Sequence, residues 1–232
     1  MEELKMEYYF SHTEEFPKKE VLNYEYPWDA LNHLKEFMDE NITEKKVLAS
    51  VGEFVSITGP VFIDEGTKIS ANVTIEGPVY IGKNCTIQAG ALIRPYSFIG
   101  DNVTVGHSCE VKHSIVQNSA KVQSFTFIGN SIIGKSTRVG SGAILANRRF
   151  DQKNITLKKD GEIIDTGSDF FGAIIGDNSR LGANSTTVPG TFIGKYTWVL
   201  PTVQVRGFVP SQKRLMNKQE IVIVDNEKLD LK

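Results

Sequence analysis

Arg94 and Lys112 stand eighteen residues apart, and His107 and Ser124 seventeen apart. In a chain that closes one turn over that many residues, each pair would lie one strand spacing, about 4.8 Å, from its partner. Two cations that close repel, so either they splay into solvent or an anion sits between them. Phosphate suits both, since arginine binds it through a planar fork and lysine as a point charge. Histidine as a residue type titrates near neutrality and can take a proton from an attacking amine or hydroxyl. A serine hydroxyl cannot act as a base at neutral pH. His107 is therefore the first candidate for proton acceptor, with Glu110 and His113 behind it. The alternative is an ordinary surface histidine, which is how His12 and His33 read.

The elements that would position these groups follow from a period of six. Stepping by six from Ile63 meets Ile69, Ile75, Ile81, Ile87, Ile93, Ile99, Val105 and Val111. The ladder shifts by one residue to Val116, Val122 and Ile128, and again to Ile133, Val139 and Leu145. It returns as Ile175, Leu181, Thr187, Ile193, Val199 and Val205. A glycine often follows the aliphatic residue, as at Gly82, Gly106 and Gly140, and a small or β-branched residue comes four places after it, as at Cys85, Cys109 and Ala143. Neither a helix nor an alternating strand has this period. One short strand and one turn per hexad, with three hexads closing a triangular coil, does. The aliphatic residue then points inward, the small residue fills the corner, and glycine is expected to supply unusual corner torsions. Cys85 and Cys109 read as buried core thiols rather than nucleophiles. Ile93, Val111, Ile128 and Leu145 fall in one column, with Arg94 and Lys112 beside it.

Composition narrows the partners. The chain has 232 residues, a formal net charge of −2 and two cysteines. No cationic excess supports a nucleic-acid binder, and two cysteines cannot make a disulfide scaffold or a cysteine-only zinc site. The opening residues lack the pattern of a secretory signal, and no apolar run is long enough to span a bilayer. A cytoplasmic location, with no membrane partner, is the expectation.

Residues 1–48 have no hexad. Pro27-Trp28-Asp29 opens a stretch with Leu31, Leu34 and Met38 at helical spacing, so an amphipathic helix over about 28–40 is expected, within an N-terminal cap closing the first coil. The coil itself is expected over 49–209. Hexads stop over 147–173, where Asp160-Gly161 between two alternating runs signals a hairpin. Its basic residues suit an anion or a neighbouring subunit. Residues 210–232 read as a tail whose Ile221–Val224 run could pack on the coil or on a partner.

The pattern isoleucine-glycine-x-x-small-x resembles the hexapeptide-repeat acyltransferases. That resemblance implies a mainly β fold, a single-stranded left-handed parallel β-helix, usually trimeric with active sites between subunits. Residues 93–153 are similar to the acetyltransferase half of the bifunctional enzymes that acetylate glucosamine 1-phosphate and then uridylylate it. The matching positions are Arg94-Pro95, Glu110-Val111-Lys112, Phe127-Ile128-Gly129-Asn130, Asn147 and Lys153. The resemblance implies that Arg94, Lys112 and Lys153 hold a sugar phosphate and that Asn147 orients the sugar. The family's histidine base and phosphate-site tyrosine correspond to Ser124 and Phe127 here, and its further asparagine to Arg138. Tyr26 to Leu31, Ala146 to Asp151, Asp165-Thr166-Gly167 and Gly172 to Asp177 are similar to short, β-helix-only proteins that carry the name of glucose-1-phosphate thymidylyltransferases. Nucleotidyl transfer needs a glycine-rich phosphate loop in an α/β domain, and residues 1–60 show neither.

The resemblance thus implies acyl transfer, with acetyl-CoA as co-substrate, to an amine or hydroxyl of a phosphorylated or nucleotide-linked sugar. The coenzyme would lie along the last coils near Lys195, Trp198 and Arg206. Two other classes stay open. One is a binding module for sugar phosphates or nucleotide sugars. The other is a γ-class zinc hydratase, which needs three histidines where the repeat offers only His107 and His113; no metal is expected.

Overall fold

The computed structural model describes residues 2–218 and 220–223. The repeat folds as a single-stranded parallel β-solenoid, consistent with the left-handed β-helix. Every third strand joins the same sheet, giving sheets of nine, nine and eight strands that form the three walls. The first sheet stacks Val47, Ile63, Ile81, Ile99, Val116, Ile133, Ile175, Ile193 and Val209. The second stacks Val51 through Val105, Val122 and Val139 to Leu215. The third stacks Ile57, Ile75, Ile93, Val111, Ile128, Leu145, Thr187 and Val205. Apart from exposed Val51, the aliphatic side chains of these columns fill or pack against one continuous core. Cys85 and Cys109 are buried in it as free thiols; burial pushes Cys85 up to about 11 and raises Cys109 as well.

The glycines do a different job from the one expected. None of Gly82, Gly106, Gly134, Gly140, Gly176 or Gly182 has a left-handed backbone; that conformation falls two residues later, at Asn84, Ser108, Ser136, Gly142, Asn178 and Asn184. Asparagine tolerates it through local hydrogen bonding. The glycines are required because the next coil lies on top of them. A Cβ on Gly134 would stand 2.6 Å from the backbone nitrogen of Asp177, and one on Gly182 would stand 2.3 Å from that of Pro201.

The first sheet is covered on its outside too. Its middle residues include Tyr80, Phe98, Ile115, Ile132, Ile174 and Phe192, and all are buried against the N-terminal segment and the excursion. The corresponding residues of the second sheet are Lys68, Thr86, Thr104, Lys121, Arg138, Arg180, Trp198 and Arg214. The N-terminal segment therefore lies along one wall rather than across the end of the coil. It contains α1 (Met6–Tyr9), α2 (Pro27–Asn32) and α3 (Leu34–Asn41), so the single expected helix is two, meeting at His33. Phe16 packs on Phe98, and Tyr9 and Trp28 pack on Phe192. Asp177, 3 % exposed, anchors the segment. One of its carboxylate oxygens accepts from the backbone N–H of Ser11 at 2.7 Å and the other from that of Lys135 at 2.8 Å.

The hairpin forms as read, with Thr156–Lys159 antiparallel to Glu162–Asp165 and both Asp160 and Gly161 left-handed at the turn. Ile155 and Leu157 bury it on the same apolar layer. Arg214–Leu215 pairs with Trp198–Val199, so the coil continues beyond 209. Ile221, Val222 and Ile223 are exposed, and Val224 lies outside the described residues. Among the described residues no helix is long and apolar enough to cross a membrane.

Candidate functional site

The coil shortens at one corner. Val111 to Val116 and Ile128 to Ile133 are five-residue steps, whereas Ile93 to Ile99 takes six. Both short steps join the third sheet to the first, and they carry Lys112-His113-Ser114 and Gly129-Asn130-Ser131. His113 and Asn130 hold left-handed backbones, at φ 44° and 46°. Buried hydroxyls brace the turn: Ser114 donates to the Lys112 carbonyl and accepts from the Ser131 N–H.

Arg94 and Lys112 are neighbours here, as the column requires, because the Arg94 N–H donates to the carbonyl of Val111. The Arg94 guanidinium donates to Glu110 at 2.8 Å. Among the described residues no carboxylate pairs with Lys112. Its ammonium stands 4.8 Å from the centre of the Phe170 ring, and the guanidinium of Arg148 stands 4.7 Å from the same centre. Burial holds the Lys112 amine below the usual lysine range; Arg94 and Arg148 push the same way and Glu110 opposes them. The corner thus holds three cations, one without a counter-ion. Asn147 joins them, donating to the Asn130 side chain at 2.7 Å. It occupies the space above Gly129, beside Phe127.

A cavity of about 470 Å³ opens against this corner, lined among others by Asn32, Lys35, Lys112, His113, Asn130 and Phe170. Its walls come from the N-terminal helices, the corner and the end of the excursion. Asn32, Lys35 and Phe170 were not among the residues expected at a site. The two short steps at one corner were the available signal, but nothing in the hexad says which helix covers it.

The other expected residues are dispersed. His107 lies at the corner joining the second and third sheets, at the far end of strand Glu110–Lys112 from Lys112. Its Nδ1 donates to the Ala89 carbonyl at 2.6 Å, its Nε2 lies 3.2 Å from the Ser108 hydroxyl, and its ring meets exposed Phe125 edge-on. Ser124 stacks on it, two residues after Val122 as His107 is after Val105. Lys153 is exposed in the excursion, with its N–H 3.4 Å from Asp151. Arg138 is on the outer face of the second sheet, in register with Lys121, Arg180 and, one coil further, Trp198. Trp198 is 52 % exposed. Arg206 is exposed. Lys195 instead ties down the N-terminal segment, donating to the Glu7 carbonyl and the Ser11 hydroxyl. His107 and His113, on different corners, do not converge on one metal position. His12, Glu14 and Glu15 have ligand atoms within 4.8 Å of one another on the exposed N-terminal segment, and Glu15 already pairs with Lys135.

Comparison with known proteins agrees with this architecture. The family described as the GMPPB C-terminal domain matches residues 75–223. The bifunctional protein GlmU of Methanococcus aeolicus is 37 % identical over 202 residues, which is 87 % of this chain and 48 % of the relative. The bifunctional sugar-1-phosphate nucleotidylyltransferase/acetyltransferase of Sulfurisphaera tokodaii is 35 % identical over 175 residues, 75 % of this chain and 43 % of the relative. The chain therefore spans about half the length of these bifunctional relatives. A protein of Escherichia coli K12 that carries the name of an uncharacterized acetyltransferase, YaiX, is 32 % identical over 179 residues, covering 77 % of this chain and 78 % of that one. With the repeat architecture and these matches over most of its length, the chain belongs to the GMPPB C-terminal domain family, among the hexapeptide-repeat transferases.

Proposed function

We propose that the chain transfers an acyl group, acetyl in the first instance, from an acyl-CoA to an amine or hydroxyl of a phosphorylated or nucleotide-linked sugar. The observation that carries this reading is Lys112, a half-buried ammonium with no carboxylate partner among the described residues, standing beside two guanidinium groups. Three cations held together this way are stabilised by an added anion. The Asn147–Asn130 amide pair next to them offers donors and acceptors of the kind a sugar ring needs. The names of the relatives, which pair sugar-1-phosphate chemistry with acetyl transfer, point the same way.

Orientation would carry much of the rate, since holding acceptor and thioester together replaces a bimolecular encounter. The coenzyme is assigned to the outer face of the last coils, where exposed Trp198 lies in register with Arg180 and Arg214. A homotrimer belongs to the same proposal, with exposed Phe125 and Ile144 offering apolar surface to a neighbour.

The test is thiol release from acetyl-CoA with a panel of amino-sugar phosphates and nucleotide sugars. Lys112→Met should raise the acceptor KM by about tenfold to a hundredfold, the loss expected for one charge-assisted hydrogen bond. A Lys112→Met variant with unchanged KM for an accepted substrate would overturn the phosphate assignment. Binding of a sugar phosphate without thiol release from any acceptor would leave the protein a binding module.

A further inference from the structure

We infer that the proton acceptor for this transfer is His113, and that the N-terminal segment supplies the group that orients it. The inference rests on the reading above, because it uses the acyl-CoA and the anionic acceptor proposed there.

His113 lines the same cavity as Lys112, whereas His107 lies at another corner of the same chain. Its Nε2 is 2.9 Å from the carbonyl oxygen of Leu31, in α2. A carbonyl only accepts, so Nε2 carries the proton and Nδ1 bears the lone pair. Among the described residues Nδ1 has no hydrogen-bond partner. The ring is also fixed from the preceding coil by Tyr96, which meets it edge-on with centroids 5.8 Å apart. A ring held by a backbone carbonyl on one nitrogen and open on the other has the arrangement of an oriented base. Burial lowers its pKa, and Lys112 lowers it further against the effect of the Leu31 bond; the net lowering favours the neutral ring.

The groups nearest it are mostly cationic or phenolic. Lys112 is its neighbour on the corner; Lys35, paired with Asp39, reaches the cavity from α3 with its ammonium over the Tyr96 ring at 5.1 Å; and Arg148, 3.7 Å from Asp169, lies over the Phe170 ring that lines the cavity. An acceptor phosphate bound among these cations would bring a nearby amine or hydroxyl to the imidazole. In the transfer step Nδ1 takes the proton from the acceptor N–H or O–H as that atom attacks the thioester carbonyl. The new C–N or C–O bond forms, the C–S bond breaks, and the proton passes on to the departing thiolate. The Leu31 carbonyl stabilises the imidazolium that exists between these events.

Two measurements test this. The first is the pH dependence of kcat with an accepted sugar phosphate in wild type and His113→Gln, whose amide can still donate to Leu31. The expected result is a fall of about a hundredfold to ten-thousandfold in kcat, loss of the acidic limb of the profile, and little change in acceptor KM. A His113→Gln enzyme that keeps that limb, or a His107→Ala enzyme that alone loses it, overturns the assignment. The second is nitrogen NMR of the wild-type imidazoles titrated with inorganic phosphate, which needs no turnover. The expected result is an Nε2–H tautomer for His113 and a rise in its pKa on phosphate addition. A phosphate response at His107 with none at His113 overturns it. If His113 responds but no acceptor is acylated, the cavity stands as an anion site with an oriented imidazole, while both acyl transfer and the base role are refuted.

Discussion

Replacing Asp177 by asparagine separates the anchoring of the N-terminal segment from the cost of burying its charge. The carboxylate takes two backbone N–H bonds, from Ser11 and Lys135. Burial nevertheless pushes its pKa from 3.8 up to about 6, against the effect of those donors and of Lys195 and Lys135. The folded chain therefore binds this proton more tightly than the unfolded chain. Its stabilising contribution is complete below about pH 4 and is lost as the pH rises through about 6. A shift of roughly two pKa units corresponds to about 3 kcal/mol. The amide of Asp177→Asn does not titrate, so the difference in unfolding free energy between the two proteins isolates the group from every other carboxylate. Urea titrations at pH 4, 5, 6 and 7, read by the fluorescence of Trp28 in the buried N-terminal layer, should show wild type losing about 3 kcal/mol relative to the variant across that range. A difference that stays level, or that grows in favour of wild type with rising pH, would mean that the two N–H donors outweigh burial.

Two glycine substitutions divide steric from conformational cost. Gly134→Ala puts a Cβ 2.6 Å from the Asp177 nitrogen and should disrupt coil stacking, whereas Gly161→Ala has nothing within 4 Å and carries only its φ of +87°. The hairpin variant should lose about 1 kcal/mol by denaturant titration and the stacking variant distinctly more. Phe192→Ala removes a fully buried ring that touches Tyr9, Trp28, Phe171 and Phe208, and should cost about 3–5 kcal/mol in the same assay. If the coenzyme lies on the last coils, adding CoA should quench the fluorescence of exposed Trp198 in a Trp28→Phe background, and Trp198→Ala should raise the acyl-CoA KM; the absence of both effects would exclude that face.

The core was legible because inward positions recur without exception along each wall, from Ile63 to Val111 and, after each reset, through Leu145. The small corner residues, Cys85 and Ala143 among them, are buried as read. The reason for the glycines was misjudged, since close approach of a second coil leaves the same trace in a sequence as an unusual torsion. The N-terminal segment was misplaced because its partners are far along the chain: Tyr9 needs Phe192 and Phe16 needs Phe98. A sign was present nonetheless, in the aromatic residues preceding the inward aliphatics at Tyr80, Phe98 and Phe192, where most of the second sheet has polar residues such as Thr86, Lys121 and Arg138. Arg94 and Lys112 came together as their column demanded. His113 was only a fallback, because what distinguishes it is a carbonyl 82 residues earlier in the chain.

The strap along the first wall also bears on how the molecule is made. A bare solenoid can add one rung at a time, each resting on the last. Here the segment that precedes the repeat finds its seats only far along the chain: Ser11 on Asp177, Tyr9 on Phe192, and the Tyr8 hydroxyl at the backbone nitrogen of Ser211. Until those coils emerge, an aromatic ribbon and a bare apolar wall wait for each other. Final docking of the opening segment then fastens early and late rungs together, turning a stack that could fray from either end into a body that opens as a whole.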